Sequence, residues 1–201
     1  MYCNKGNLQK YLMIDIDASF DAQITDWISA AEKYINNYTG KKDGFEQPAL
    51  ATTKYFDGNN TRELVIDDFT EISTVQILEV NSDDVAYTLT EGLDNDFITH
   101  PYNETPKYKL ELVDSSTVGA WYSGSKRIKI SAKWASATTV PKDIELACTI
   151  LVSSIIEKGV NGGKISSESL GDYSVTYEAL EDSAQAMGVL KVLNNYKEFT
   201  L

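Results

Sequence analysis

The stretch Ile128-Lys129-Ile130-Ser131-Ala132-Lys133-Trp134, followed after a short link by Val140-Pro141-Lys142-Asp143-Ile144-Glu145-Leu146-Ala147-Cys148, decides the fold class. Its first half alternates. Ile128, Ile130, Ala132 and Trp134 share one face and Lys129, Ser131 and Lys133 the other, which is the period of two of a strand with one side in a core. Its second half takes helical spacing, with Ile144, Ala147, Cys148, Leu151, Val152, Ile155 and Ile156 on one broad apolar face. Pro141 stands at the first turn, where a helix tolerates it. Asp143 and Glu145 set anions beside the free amides of that turn, and Gly159 stands at the far end. A strand that gives way to a central core helix predicts an α+β chain.

Upstream, from about residue 50, the same alternation recurs. Tyr55-Phe56 runs into the turn Asp57-Gly58-Asn59-Asn60 and then into Glu63-Leu64-Val65-Ile66. Further strands are predicted at Val75/Ile77, at Val85/Tyr87/Leu89, and at Tyr108/Leu110/Leu112 opposed to Lys109/Glu111. The polar segments Glu91–Asp96 and Pro101–Pro106 read as surface loops, and so does Thr99-His100-Pro101. Ahead of the strands, Ile24, Trp27, Ile28, Ala31, Ile35 and Tyr38 follow one helical face, with Ser19 as the expected N-cap and Gly40 as the C-terminal cap. A shorter helix is predicted around Asn4 to Leu12. Downstream of the core helix come a Gly-rich link from Gly159 to Gly163 and a short strand through Tyr173, Val175 and Tyr177. A last helix begins near Leu180, with Ala184, Met187, Leu190 and Leu193 in register and Tyr196 extending the stripe. The expected organisation is a helical core made by residues 1–49 and 136–201, with a large antiparallel β-rich insertion at 50–135.

Lys and Arg number 18 against 30 Asp and Glu, a net charge of −12. The excess is spread: 5 basic against 7 acidic residues in 1–49, 8 against 14 in 50–135, and 5 against 9 in 136–201. Such a surface repels phosphate backbones unless a local patch reverses the potential. Lys126, Arg127, Lys129 and Lys133 are the one candidate patch, and they read as a solvated or interface-facing strand edge. The 12 Tyr, against 6 Phe and 3 Trp, suit half-exposed strands and surfaces that meet a partner. Cys3 and Cys148 are too few for a disulfide scaffold, and Cys148 reads as a small core residue. Nothing in the sequence reads as a signal peptide or a membrane span, so a reducing aqueous compartment is expected.

The motifs of common chemistry are missing. His100 is the only histidine, and no Cys/His grouping suits zinc. Gly162-Gly163-Lys164-Ile165-Ser166 lacks the upstream glycine of a phosphate-binding loop and reads as a connector. Asp67-Asp68, Asp83-Asp84 and Asp94-Asn95-Asp96 carry oxygen ligands without the spacing of a calcium loop, and read as solvated turns. No metal, no cofactor and no catalytic residue is expected.

The ordered series of features resembles the head–tail connector (head-completion adaptor) proteins of tailed bacteriophages and prophages. Four stretches carry the likeness: Ala30-Ala31-Glu32-Lys33-Tyr34-Ile35-Asn36-Asn37-Tyr38-Thr39-Gly40; Thr53-Lys54-Tyr55-Phe56-Asp57-Gly58-Asn59; Val140-Pro141-Lys142-Asp143-Ile144-Glu145-Leu146-Ala147; and Ile165-Ser166-Ser167-Glu168-Ser169-Leu170-Gly171-Asp172-Tyr173-Ser174-Val175. They fall within residues 4–60 and 128–198. The departure is the middle, which is larger than the hairpin of compact family members. The resemblance implies a virion structural protein, assembled in the host cytoplasm, that forms a ring of itself, commonly of twelve copies, below the portal vertex. It implies the phage portal protein on one side, the next head-completion or tail-completion protein on the other, double-stranded DNA passing through without sequence-specific binding, and no membrane. Portal docking is carried over to the last helix, at Asp182, Gln185, Met187, Leu190, Leu193 and Tyr196. Subunit contacts or ring lining are carried over to Ser166, Glu168, Asp172, Tyr173 and Tyr177. Two rival readings remain at this stage: a binding module whose β-rich insertion recognises a tail or host component, and a carboxylate-dependent hydrolase, which requires an enclosed acidic pocket with a raised carboxyl pKa.

Overall fold

In the computed structural model, which describes residues 1–159, 182, 184, 185 and 188–197, helices at both ends of the chain flank a β-rich middle. Two bodies form: Met1–Lys42 with Val140–Leu201, and Asp43–Thr139.

The helical body begins with α1, Lys5–Leu12. Asn4 caps it reciprocally with Asn7: the Asn7 amide donates to the Asn4 side chain at 3.0 Å, and the Asn4 amide to the Asn7 side chain at 2.9 Å. A 3₁₀ turn, Ala18–Phe20, leads into α2, Asp21–Thr39, which ends on Gly40 at φ 81°. Only a residue tolerant of the left-handed region closes a helix this way. The expected cap Ser19 lies inside the 3₁₀ turn. Asp17 caps that 3₁₀ turn, accepting from the Ser19 amide at 2.8 Å, and α2 then continues from Phe20 with no side-chain cap of its own. α3, Lys142–Gly159, is the central helix, and α1, α2 and the C-terminal helix α4, Val189–Leu193, all pack on it. Every residue from Leu151 to Ile156 is buried, which a helix reaches only when neighbours cover more than one face. Each fully buried Leu, Ile or Val there contributes about 1.5–3 kcal/mol.

The sheet body holds six antiparallel strands: β1 Thr52–Gly58, β2 Glu63–Leu78, β3 Val85–Leu89, β4 Phe97–His100, β5 Lys107–Leu112 and β6 Gly124–Trp134. Their order is β1-β6-β2-β5-β4, with β3 on the end of β2. Ile128, Ile130, Ala132 and Trp134 enter the core at 0–3% exposure, as the alternation requires. They meet Leu64, Phe69, Val75, Ile77, Leu110 and Leu112 there, together with Trp121, which comes from a loop. β2 is one strand of 16 residues, where the sequence suggests two pieces. Irregular register between Val65 and Phe69 and again between Ile72 and Thr74 lets it bend and serve β5, β6 and β3 in turn. The loop expected at His100 is corrected as well: Phe97–His100 is a strand, with Phe97 opposite Leu112 and His100 opposite Lys109. Asp43 to Phe45 belong to the sheet body. Asp43 pairs with Lys54, the Gly44 carbonyl accepts from the Ser136 amide, and Phe45 is buried.

Candidate functional site

The C-terminal element is built onto the start of α3. Leu193 is fully buried, Leu190 is half-buried, and Tyr196 follows in a 3₁₀ turn, Asn194–Tyr196. The Tyr196 hydroxyl donates to both Asp143 carboxylate oxygens, at 2.8 and 2.9 Å. Burial and then that carboxylate push the phenol up to about 12. Asn194 accepts from the Tyr38 hydroxyl at 2.8 Å, and the Lys197 ammonium lies 5.0 Å from the Tyr38 ring centre. Leu193 and Tyr196 thus hold α4 within the helical body, whereas Asp182 and Gln185 are helical and exposed. Met187, Ser166, Glu168, Asp172, Tyr173 and Tyr177 lie outside the described residues, as do the short strand and the Gly-rich link beyond Gly159.

The same first turn of α3 also meets α1. The Asn7 side chain, whose oxygen caps α1, donates from its amide to Glu145 at 2.8 Å, and Lys142 reaches Glu145 at 2.6 Å. Lys142 first, and Asn7 after it, hold the Glu145 carboxyl below its ordinary range against the opposing effect of burial. Beside these groups an open groove of about 300 Å³ is lined by Asn7, Lys10, Tyr11, Lys142, Glu145, Leu146 and Thr149.

In the sheet body the charges pair across strands. Lys109 reaches Glu63 at 2.8 Å, Lys133 reaches Glu71 at 2.7 Å, and His100 Nε2 lies 2.9 Å from Glu111. Lys54 spans Asp43 and Asp67 at 2.6 and 2.7 Å with its ammonium 4.6 Å from the Trp134 ring centre. Burial alone would depress the Lys54 ammonium, but the two carboxylates outweigh it and leave the pKa raised. Lys126, Arg127, Lys129 and Lys133, read from the sequence as a solvated or interface-facing strand edge, are not on an edge, because β6 runs between β1 and β2; Lys133 is paired, and Arg127 donates to the Leu78 carbonyl at 2.8 Å.

The acidic turns also have structural work. Asp67 holds Lys54, Asp68 accepts from the Ser136 hydroxyl at 3.0 Å, and Asp84 accepts from Ser82 at 2.8 Å. Asp96, expected to be solvated, is 7% exposed. It accepts from the Thr90 amide, the Thr117 amide and the Thr117 hydroxyl, each at 2.8 Å. Burial pushes its carboxyl up, but these three donors outweigh it and hold it below the ordinary range. Sequence reasoning missed this role, since three donors on two residues, Thr90 and Thr117, create it, and no sequence spacing marks them. It missed Trp121 for the same reason. That ring is buried because its indole donates to the Arg62 carbonyl at 3.0 Å while its backbone pairs with Asn60 and Thr61. Among the described residues no group of three or more His, Cys, Asp or Glu is placed to hold a metal ion, and no helix is long and apolar enough to cross a membrane.

No model of a known protein family matches the chain, and no curated protein matches it. Solved structures do. A chain in the neck of an empty GTA particle, computed with C6 symmetry, aligns over 90% of this chain and 80% of its own length, with a TM-score of 0.51 at 9% identity. What the two share is the fold. Chains of a native gene transfer agent (GTA) virion and of the neck of a native GTA particle computed with C12 symmetry align at TM-scores of 0.48 and 0.44, both at 12% identity. They cover 92% and 91% of this chain and 81% and 86% of their own lengths.

Proposed function

We propose that the chain is a structural protein of the neck of a phage-like particle, forming a ring below the portal vertex that extends the DNA channel and joins head to tail. The observation that carries this reading is the alignment of 90% of the chain, helical ends and sheet together, with a chain of a GTA particle neck. That neck was computed with six-fold symmetry, with which a ring of twelve copies is compatible. A closed ring needs two different complementary faces on each subunit. Docking to the portal falls to a separate surface, carried by the exposed Asp182 and Gln185, together with Met187 and Leu190. Leu193 and Tyr196 act indirectly, by seating α4 on α3. The segment carrying Ser166, Glu168, Asp172, Tyr173 and Tyr177 organises neighbouring subunits or lines the ring. On the far side the ring receives the next head-completion or tail-completion protein.

Among the described residues Asp17, Glu63, Asp96 and Glu145 are held down by Ser19, Lys109, the Thr117 and Thr90 donors, and Lys142 respectively, so none of these four has the raised carboxyl that the hydrolase reading requires. The test is mass measurement in solution, by native mass spectrometry or light scattering, alone and mixed with the cognate portal. A ring, or capture by the portal ring, is the expected result. A chain that stays monomeric and never joins the portal overturns the proposal. Docking is tested with the double variant Asp182→Arg and Gln185→Arg, which leaves the buried Leu193 in place. Portal capture should weaken about tenfold or more with the melting temperature unchanged, and retained capture would move the docking surface elsewhere.

A further inference from the structure

The helical body contains two thiols that the assembly reading leaves unused. Cys3 precedes α1 and Cys148 lies on α3, 145 positions apart in sequence, yet their sulfur atoms are 3.2 Å apart. Both are free and buried, at 3% and 0% exposure. A disulfide has an S–S distance of about 2.05 Å, so closure needs an approach of about 1.2 Å. Cys3 stands outside any helix or strand and can supply that movement without breaking a helical hydrogen bond. A shared metal suits the pair poorly, since two thiolates on a tetrahedral zinc stand roughly 3.8 Å apart, and among the described residues no third ligand joins them.

The two sulfurs differ chemically. Cys3 lies in the segment ahead of α1 at 3% exposure, while Cys148 is held on the core helix at 0%, so opening of that segment presents Cys3 first. Cys3 is the nucleophile and Cys148 the resolving thiol, and the contact between them favours the Cys3 thiolate. The segment that covers Cys3 is held by the Tyr2 hydroxyl on Asn36, at 2.5 Å, and by the Tyr2 amide on Glu32. Local opening of those contacts admits a reagent.

We propose that Cys3 and Cys148 form a reversible intramolecular disulfide, a covalent latch between the segment ahead of α1 and the core helix, when the protein meets a low-molecular-weight disulfide such as oxidised glutathione. The Cys3 thiolate attacks one glutathione sulfur, breaking that S–S bond and releasing one glutathione thiolate. Cys148 then gives its proton to solvent and attacks Cys3 Sγ, displacing the second glutathione thiolate. Two protein thiols are oxidised by two electrons, one glutathione disulfide is reduced to two thiols, and the two protons end on glutathione. The latch does not depend on the assembly role.

The test uses the full chain in glutathione buffers of graded redox poise, quenched with a maleimide under denaturing conditions and read by intact mass and peptide mapping. Oxidation should remove both thiols together and leave a product two hydrogens lighter that carries a Cys3–Cys148 cross-linked peptide. The melting temperature should rise by roughly 10 °C and fall back with dithiothreitol. Cys148→Ala should stop at a glutathione adduct on Cys3. Both thiols still free in oxidised wild-type protein, disulfide-linked dimers in place of the internal bridge, or an unmodified Cys3 in Cys148→Ala would each overturn the proposal.

Discussion

At the scale of single residues, Asp96 and Gly58 carry more of the sheet body than their polar or minimal side chains suggest. Asp96 gathers three donors from Thr90 and Thr117 onto one buried carboxylate. Replacement with Asn turns one acceptor oxygen into a donor facing other donors, which should cost about 2 kcal/mol at neutral pH. The sign of the pH dependence follows from the depressed pKa of the folded state. The stability it confers is full above the ordinary aspartate value of about 4 and is lost as pH falls through the lower folded value. Chemical denaturation of wild type and Asp96→Asn across pH should therefore give a constant gap above about pH 5 that closes on acidification. A gap that widens on acidification would contradict the assignment. At Gly58 the constraint is spatial: a Cβ would stand 1.8 Å from the Tyr122 carbonyl oxygen and 2.6 Å from its carbon. Those are backbone atoms of a loop fixed by the Trp121 bonds to Asn60, Thr61 and Arg62. No rotamer change relieves the clash, so Gly58→Ala should lose about 3 kcal/mol and lower the melting temperature by roughly 6–12 °C.

At the scale of elements, the C-terminal 3₁₀ turn is fastened to the start of α3 through Tyr196 and Asp143. Tyr196→Phe keeps the ring and removes the bond, an expected loss of about 1 kcal/mol at neutral pH. Because the folded phenol is raised to about 12, its contribution is full below the ordinary tyrosine value of about 10 and disappears as pH climbs toward 12. Denaturation midpoints of wild type and Tyr196→Phe should converge over that window, and parallel curves would refute the role given to this bond. The same elements mark what periodicity could reveal. The alternation in β6, the broad apolar face of α3 and Gly40 after α2 were legible because each expresses its geometry within one local stretch. β2 reads as two pieces because Asp67, Asp68 and Glu71 interrupt its apolar alternation. The charges are tolerated there because Lys54, Ser136 and Lys133 arrive from other segments to meet them. β4 was hidden by Pro101 and its polar neighbours, and only its register with β5 makes it a strand. Ser19 fits the cap by residue type, whereas Asp17 reaches the 3₁₀ turn from two positions earlier. Of the surfaces assigned to the portal, Asp182 and Gln185 are exposed, while the helical register that linked Leu193 and Tyr196 to them could not separate a contact face from a core face.

At the scale of the whole molecule, the charge of −12 coexists with cations that are locally cancelled. Lys5 meets Asp21, Arg62 meets Asp114, Lys109 meets Glu63, Lys133 meets Glu71 and Lys142 meets Glu145, each at 2.6–2.8 Å. Exposed pairs of this kind add little to stability, about 0–1 kcal/mol apiece. Their larger consequence is electrostatic, because a lysine already neutralised at contact distance adds almost nothing to the potential a Debye length away, about 10 Å at 0.1 M salt. A polyanion approaching either body therefore meets the unpaired acids. Nonspecific affinity for duplex DNA scales with the phosphates neutralised, so the protein should not bind a short labelled duplex in fluorescence anisotropy at concentrations up to about 100 µM in about 50 mM salt. Binding tighter than about 10 µM would reveal a reversed patch and would argue against a conduit that must let DNA slide. Glu63→Lys with Glu71→Lys supplies the converse. It replaces the partners of Lys109 and Lys133 by like charges on the neighbouring strand and makes a basic stripe with Lys129 and Arg127. DNA binding should appear in that variant and fall steeply as salt rises, by about one power of salt concentration for each phosphate contacted. If the doubly reversed sheet still ignores DNA, global charge rather than cross-strand pairing keeps the polyanion off.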